Sequence, residues 1–279
     1  MNAFVMMLAA AACYTTTSLS DKYAVSEAKL GGNEFTFLMC SSLAVFTALT
    51  LPFQKIYFTL TWLSFAAILL IAICKMLEFQ MNALVLKQLS AFELKAWIGV
   101  TLFASYITDI FFGASINAYK ILCIAVTVVG LALIVRSGRD NKIEYRKIAV
   151  PLVFYLISKY GYGLIIKTFT PFVSPTMQFM PALALVALIM LTRVKPSEIF
   201  RNNPKGAANV ILARIPNTTG MLLENAVIAV SLANYSFIQP MILVSLFIIG
   251  IIRKERYSAL NLAGSIICIA GVIAFQLIK

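Results

Sequence analysis

The sequence predicts an all-α polytopic membrane protein, about ten transmembrane helices arranged as two inverted five-helix repeats. Three observations carry this. Of 279 residues, 61% are hydrophobic and 12% charged, against roughly half apolar and a quarter charged in globular domains. The apolar residues run together in stretches close to the ~20 residues a helix needs to cross the hydrocarbon core. Strands of an outer-membrane barrel would instead alternate apolar and polar positions over about ten residues. Finally, the second half echoes the first. Residues 109–135 overlie 250–276 at a shift of 141, which sets Ala118 on Ala259 and Gly130 on Gly271. Asn82-Ala83-Leu84-Val85 meets Asn225-Ala226-Val227-Ile228 at a shift of 143. An odd number of spans per repeat turns the two halves over relative to one another. The expected units are 1–138 and 139–279.

In order, the first span covers 3–20 and carries Thr15, Thr16 and Thr17. Threonines of this kind often bond their own helix backbone, which ranks them low as ligand contacts. Spans two to five are 35–51, 59–84, 89–112 and 118–135; the third holds Lys75 and Glu78. The connection 136–147 is the most polar stretch and joins the halves. Spans six to ten are 148–166, 175–191, 207–232, 235–252 and 259–278. The sixth holds Lys159, the eighth Arg214 and Glu224. No loop is long enough to house a soluble domain. Ala10-Ala11-Ala12-Cys13 faintly resembles a lipoprotein cleavage site, but Met1-Asn2-Ala3-Phe4 lacks the basic start of such signals, so the first span is expected to be retained.

The net charge of +12 does not imply nucleic acid, which needs clustered Lys and Arg on a water-exposed face. The basic residues lie mainly in loops, where they report orientation. Loops on the N-terminal side hold Lys55, Lys120, Lys167 and Lys279, four in all. The opposite loops hold sixteen, among them Arg136, Arg139, Lys142, Arg146 and Lys147. Both termini are therefore expected outside a cell (inner or plasma) membrane. All five cysteines fall in apolar segments, as packing residues do. The chain has no histidine, which removes histidine metal sites and proton relays; neither metal nor cofactor is expected.

The ninth segment carries Gln239-Pro240, followed by Arg253-Lys254-Glu255-Arg256 at the turn and by Leu262-Ala263-Gly264-Ser265, then Gly271, in the tenth. The first half keeps the closing Gly130, but its turn, Gly113-Ala114-Ser115-Ile116-Asn117, lacks a counterpart of Glu255. In these features the chain resembles the drug/metabolite transporter superfamily, in its ten-helix EamA-type branch. The resemblance implies a carrier of small molecules and names a mechanism rather than a cargo. Members commonly place their termini in the cytoplasm, whereas the loop charges here say outside. Gly264 and Gly271, seven apart, share a helix face that lets a backbone approach. The expected neighbour is the ninth segment, with a homodimer seam as the alternative.

A lone charge at mid-bilayer costs at least about 2.5–3.5 kcal/mol, so it normally faces a cavity or a partner. Lys75 and Glu78, three apart, share one face and can pair; alternatively Lys75 snorkels to water. Lys159 sits about 16 Å into its span at 1.5 Å per residue, among Tyr155, Ser158, Tyr160, Gly161, Tyr162 and Gly163. Tyrosines offer a stacking face and a hydroxyl, which suits an organic ligand. In the eighth span Pro216 and Gly220 predict a broken or kinked helix presenting Asn217, Thr218 and Thr219. Glu224, beside Asn225, is expected to balance Lys159 or to carry a proton, and Arg214 to snorkel. The substrate-binding set is thus Lys159, Glu224, Lys75, Glu78, Tyr160, Tyr155, Asn217, Asn225 and Arg214.

Three buried cations against two anions tilt the cargo toward an anionic or zwitterionic small organic molecule. The function expected is secondary transport of a metabolite or drug by alternating access, driven by protons or by exchange. The alternatives are a channel or non-transporting partner subunit, and a membrane-embedded lipid-modifying enzyme. The last would need acids, histidines or a metal to converge, and the 11 acidic residues are scattered. No phosphate-binding loop is present to support nucleotide-driven transport.

Overall fold

The structure is a computed structural model that describes residues 3–89, 91–99, 101–137, 145–252 and 258–278. Its helices are α1 (Ala3–Ser26), α2 (Gly32–Thr50), α3 (Trp62–Leu86), α4 (Ala91–Gly99), α5 (Thr101–Phe111), α6 (Ala118–Ser137), α7 (Tyr145–Phe169), α8 (Pro175–Leu191), α9 (Pro196–Asn202), α10 (Pro204–Val230), α11 (Leu232–Ile252) and α12 (Ala259–Leu277). Among the described residues the only extended pairing is an isolated bridge between Phe58 and Val173.

Several helices begin where a side chain can take the free N–H groups of the first turn. Asn203 accepts from the Gly206 N–H at 3.0 Å, with Pro204 at the first helical position. Asn117 accepts from the Tyr119 N–H at 2.9 Å, and Ser258 from that of Asn261 at 3.2 Å.

Five helices are long and apolar enough to cross a membrane: α1, α2 with its following turn, α3, α7 and α11. The pair α8 and α9, bent by 82°, makes a sixth if taken as one span. Helices α5, α6 and α12 carry shorter apolar stretches. Within the expected fourth span the described residues form α4 and α5, with residue 100 outside the described residues. The expected eighth span is the 27-residue α10, kept out of the apolar set by its polar residues.

The distribution of side chains is that of a helical membrane protein. Leu69, Val129, Ile157, Leu188, Leu212 and Ile266 are all more than half exposed, while Arg214, Gln178, Glu224 and Gln239 are buried to within 2%. In water that arrangement would expose apolar surface and bury charge, both unfavourable. In lipid the outer face costs nothing, and the interior is where charges find partners.

Helix α1 packs along α10, α3 along α7, α2 against α8 and α6 against α12. The last contact depends on glycine. A Cβ on Gly130 would lie 2.7 Å from the Cys268 nitrogen and the Gly264 oxygen, and one on Gly271 would meet Thr127 and the Cys123 carbonyl. Gly264 and Gly271 therefore receive α6 rather than the ninth segment, and the chain itself fills the face considered for a dimer seam. The polar connection at 138–144 and the turn at 253–257, with Glu255, lie outside the described residues.

Candidate functional site

Five helices, α1, α3, α4, α7 and α10, bring charged groups to one place in the interior. On α3, the three-residue spacing sets the Lys75 ammonium 2.7 Å from Glu78 Oε2. From α7, Lys159 Nζ reaches Glu78 Oε1 at 3.5 Å and Glu224 Oε1 of α10 at 3.2 Å. Tyr14 of α1 donates its hydroxyl to Glu224 Oε2. Gly220 makes that contact possible, since a Cβ there would press on Cys13 and Tyr14. Arg214 of α10 pairs with Asp21 of α1 and donates through Nε to the Val210 carbonyl at 3.1 Å.

Aromatic rings enclose these cations. Lys75 Nζ sits 3.7 Å from the centre of the Tyr162 ring. Lys159 Nζ lies 5.8–5.9 Å from the rings of Tyr14, Tyr162 and Tyr235. Such contacts stabilise a desolvated ammonium by about 2 kcal/mol. Tyr162 donates to Asn225 Oδ1 at 2.6 Å, and Tyr235 to the Lys159 carbonyl at 3.1 Å.

The cluster borders a cavity of about 60 Å³. A water needs roughly 10–15 Å³ of such space, so the cavity accepts a few waters. Its wall carries Lys75, Glu78, Lys95, Lys159, Glu224 and Asp21, with Gln239 of α11 among the uncharged groups. Gln239 is 2% exposed, and neither atom of its carboxamide has a hydrogen-bond partner.

Of the residues expected from the sequence, Lys75, Glu78, Lys159, Glu224, Tyr155 and Asn217 line this cavity. Asn225 lies behind them in its bond with Tyr162. Tyr160 is placed elsewhere, its hydroxyl bonded to that of Thr108 on α5. Lys75 and Arg214 do not snorkel: they are 4% and 0% exposed, each turned inward onto a carboxylate. Pro216 does not break α10, which runs continuously from Pro204 to Val230, supported along its length by α1. Thr15, Thr16 and Thr17 each bond a carbonyl one turn back.

Sequence reasoning missed Asp21, Lys95, Tyr14 and Gln239. Helix α1 continues to Ser26, beyond the expected end at residue 20, so Asp21 lies within the helix rather than in a loop. It also missed a second cluster. Asp109 of α5 pairs with Lys167 of α7, and it accepts from the Leu232 and Ala233 N–H groups (2.9 and 2.8 Å) and the Ser231 hydroxyl (2.7 Å). A carboxylate from a distant segment thus caps α11, where the helix dipole favours negative charge. Its signal was an acid near the end of an apolar run, a position normally read as reaching water.

No protein-family model matches the chain, and no curated protein matches its sequence.

Proposed function

We propose that this chain is a secondary transporter of the drug/metabolite type, moving a small organic molecule by alternating access between two inverted five-span repeats. The observation that carries the reading is the buried Lys75–Glu78–Lys159–Glu224 cluster beside a small cavity. Burying four charges costs several kcal/mol per ion before pairing, a cost a merely structural bundle would avoid with apolar residues.

The packing supports the repeat. Replacing each span by its counterpart five along turns the α1–α10 contact into the α7–α3 contact, and α2–α8 and α6–α12 into themselves. The loops agree with an alternating ten-span path. Phe172 and Ser174, after the sixth span, bond Thr59 and Tyr57 before the third, both 3.0 Å apart. Asn203, before the eighth, bonds Ala28, after the first. Asp109, ending the fourth, caps the start of the ninth. Each pair would lie on a single side of the membrane.

The cluster suits a carrier because its pairs can be exchanged for pairs with a cargo, and coupling to protons or to counter-substrate would act through the same carboxylates. The test is counterflow in proteoliposomes with labelled amino acids, nucleobases, sugars and amine drugs. Saturable exchange of one cargo, lost in Lys159→Ala and reduced at least about tenfold in Glu224→Gln, is expected. Linear, unsaturable flux would instead mark a channel.

A further inference from the structure

We infer that the cargo of the central cavity is a small zwitterion, its carboxylate taken by Lys159 and its ammonium by Glu224, in place of the ion pair those two residues now form. The inference rests on the carrier reading above and names the class of its substrate.

Helices α3 and α7 pack as one pair and α1 and α10 as another. The cavity charges divide unequally between them. Lys75, Glu78 and Lys159 leave the first pair one positive charge in excess. Asp21 and Glu224, with Arg214 paired to Asp21 behind the wall, leave the second one negative charge in excess; Lys95, on α4, belongs to neither pair. Among the described residues, Lys159–Glu224 is the ion pair that joins the two sides.

A cargo that takes the place of the Lys159–Glu224 pair, 3.2 Å across, requires these helix pairs to separate. Lys75 keeps Glu78, on its own helix, and Arg214 keeps Asp21, on its own pair. Lys159 is left with a carboxylate already held by Lys75, and Glu224 with the neutral Tyr14 hydroxyl. The gap therefore opens between a positive wall and a negative one, in surroundings where an uncompensated charge is expensive. A cation would compensate only Glu224, an anion only Lys159, and an uncharged molecule neither. A zwitterion compensates both.

Gln239 is the second observation. Its carboxamide is buried at the cavity wall with donor and acceptor both unused, an arrangement that costs free energy unless a partner arrives. The oxygen can accept from an ammonium while the NH₂ group donates to the neighbouring carboxylate. Lys95, also on the wall and within electrostatic reach of Asp21 and Glu78, disfavours a cargo bearing an ammonium alone.

The test uses the purified full-length protein and glycine, L-serine, L-leucine and β-alanine as probes. Each is compared with its amide, which lacks the carboxylate, and its N-acetyl derivative, which lacks the ammonium. Thermal stabilisation reads binding, and counterflow in proteoliposomes reads transport. At least one zwitterion is expected to stabilise the protein at a concentration about tenfold below either derivative, the scale of one lost charged contact. Glu224→Gln should bring the zwitterion down to the level of its N-acetyl derivative, and Lys159→Gln to that of its amide. Should either single variant fail to fold, the double variant Lys159→Met with Glu224→Gln leaves neither residue charged and should fold while losing the preference. Gln239→Leu should weaken the zwitterion and leave the derivatives unmoved. No stabilisation by any zwitterion, or equal stabilisation by the derivatives, overturns the inference. Counterflow of a singly charged or neutral compound with no zwitterion effect keeps the carrier and overturns the cargo class. Zwitterion stabilisation without counterflow keeps the site and overturns the carrier.

Discussion

Lys159 and Glu224 stand 65 positions apart in sequence and 3.2 Å apart in the interior, where each offsets the other's charge. Removing one partner of a buried pair leaves an uncompensated charge and costs about 3–5 kcal/mol, whereas replacing both by apolar groups is often neutral. Lys159→Ala is therefore expected to lower the melting temperature in detergent, and Lys159→Met with Glu224→Met to recover most of the loss. A double variant as unstable as the single one would show that the pair is not coupled. At this scale the sequence exposed the charges but not their partners. Lys75, Lys159, Arg214, Glu78 and Glu224 are conspicuous in apolar spans, since each is costly in lipid. Tyr14 lies inside the expected first span and Asp21 one residue beyond its expected end, and burial of a tyrosine or of an end-of-helix acid has no local signature.

The elements are held together by two devices that act between segments far apart in the chain. Glycines at the α6–α12 contact let backbones touch, and a Cβ at Gly130 would fall 2.7 Å from backbone atoms that cannot rotate away. Gly130→Ala should destabilise by about 1–3 kcal/mol, the usual cost of overpacking. Gly161→Ala, whose Cβ would meet the Cys74 sulfur at an ordinary 3.5 Å, should be near neutral. Equal melting temperatures for the two variants would contradict the close approach. The second device is Asp109 at the start of α11. Asp109→Ala should cost about 2 kcal/mol, as loss of a charged cap does, and speed hydrogen exchange at the first turn of α11 above that of α12. Unchanged exchange there would remove Asp109 from that role.

For the whole molecule, the loop charges predict that both termini face away from the cytoplasm: sixteen basic residues against four in the sequence count, or fifteen against three once Lys95 on the cavity wall and Lys167 in its pair with Asp109 are set aside. A reporter that fluoresces only in the cytoplasm should stay dark when fused after residue 279, and should light up when fused within the connection 136–147. The reverse pattern would invert the proposed path, in which an even number of spans returns the chain to its starting side. The contacts between loops constrain this scale too. Tyr57, Phe58 and Thr59 meet Phe172, Val173 and Ser174, so the turns after the second and sixth spans share a side whichever way the molecule sits.

The sequence by itself determined the membrane class, the helical content and where most of the long helices run. The reason is that hydropathy is additive along a short stretch, and that lipid leaves an isolated segment no way other than a helix to satisfy its backbone. It also marked the glycines and the charges that had to be explained. Which helix lies on which was decided only by the tertiary structure. So were the placing of Gly264 and Gly271 on α6, the inward turn of Lys75 and Arg214, the continuity of α10 through Pro216 and the unused carboxamide of Gln239. Those outcomes depend on how each helix is rotated about its axis against neighbours distant in sequence, and a charge's partner is set by that rotation rather than by the residues beside it.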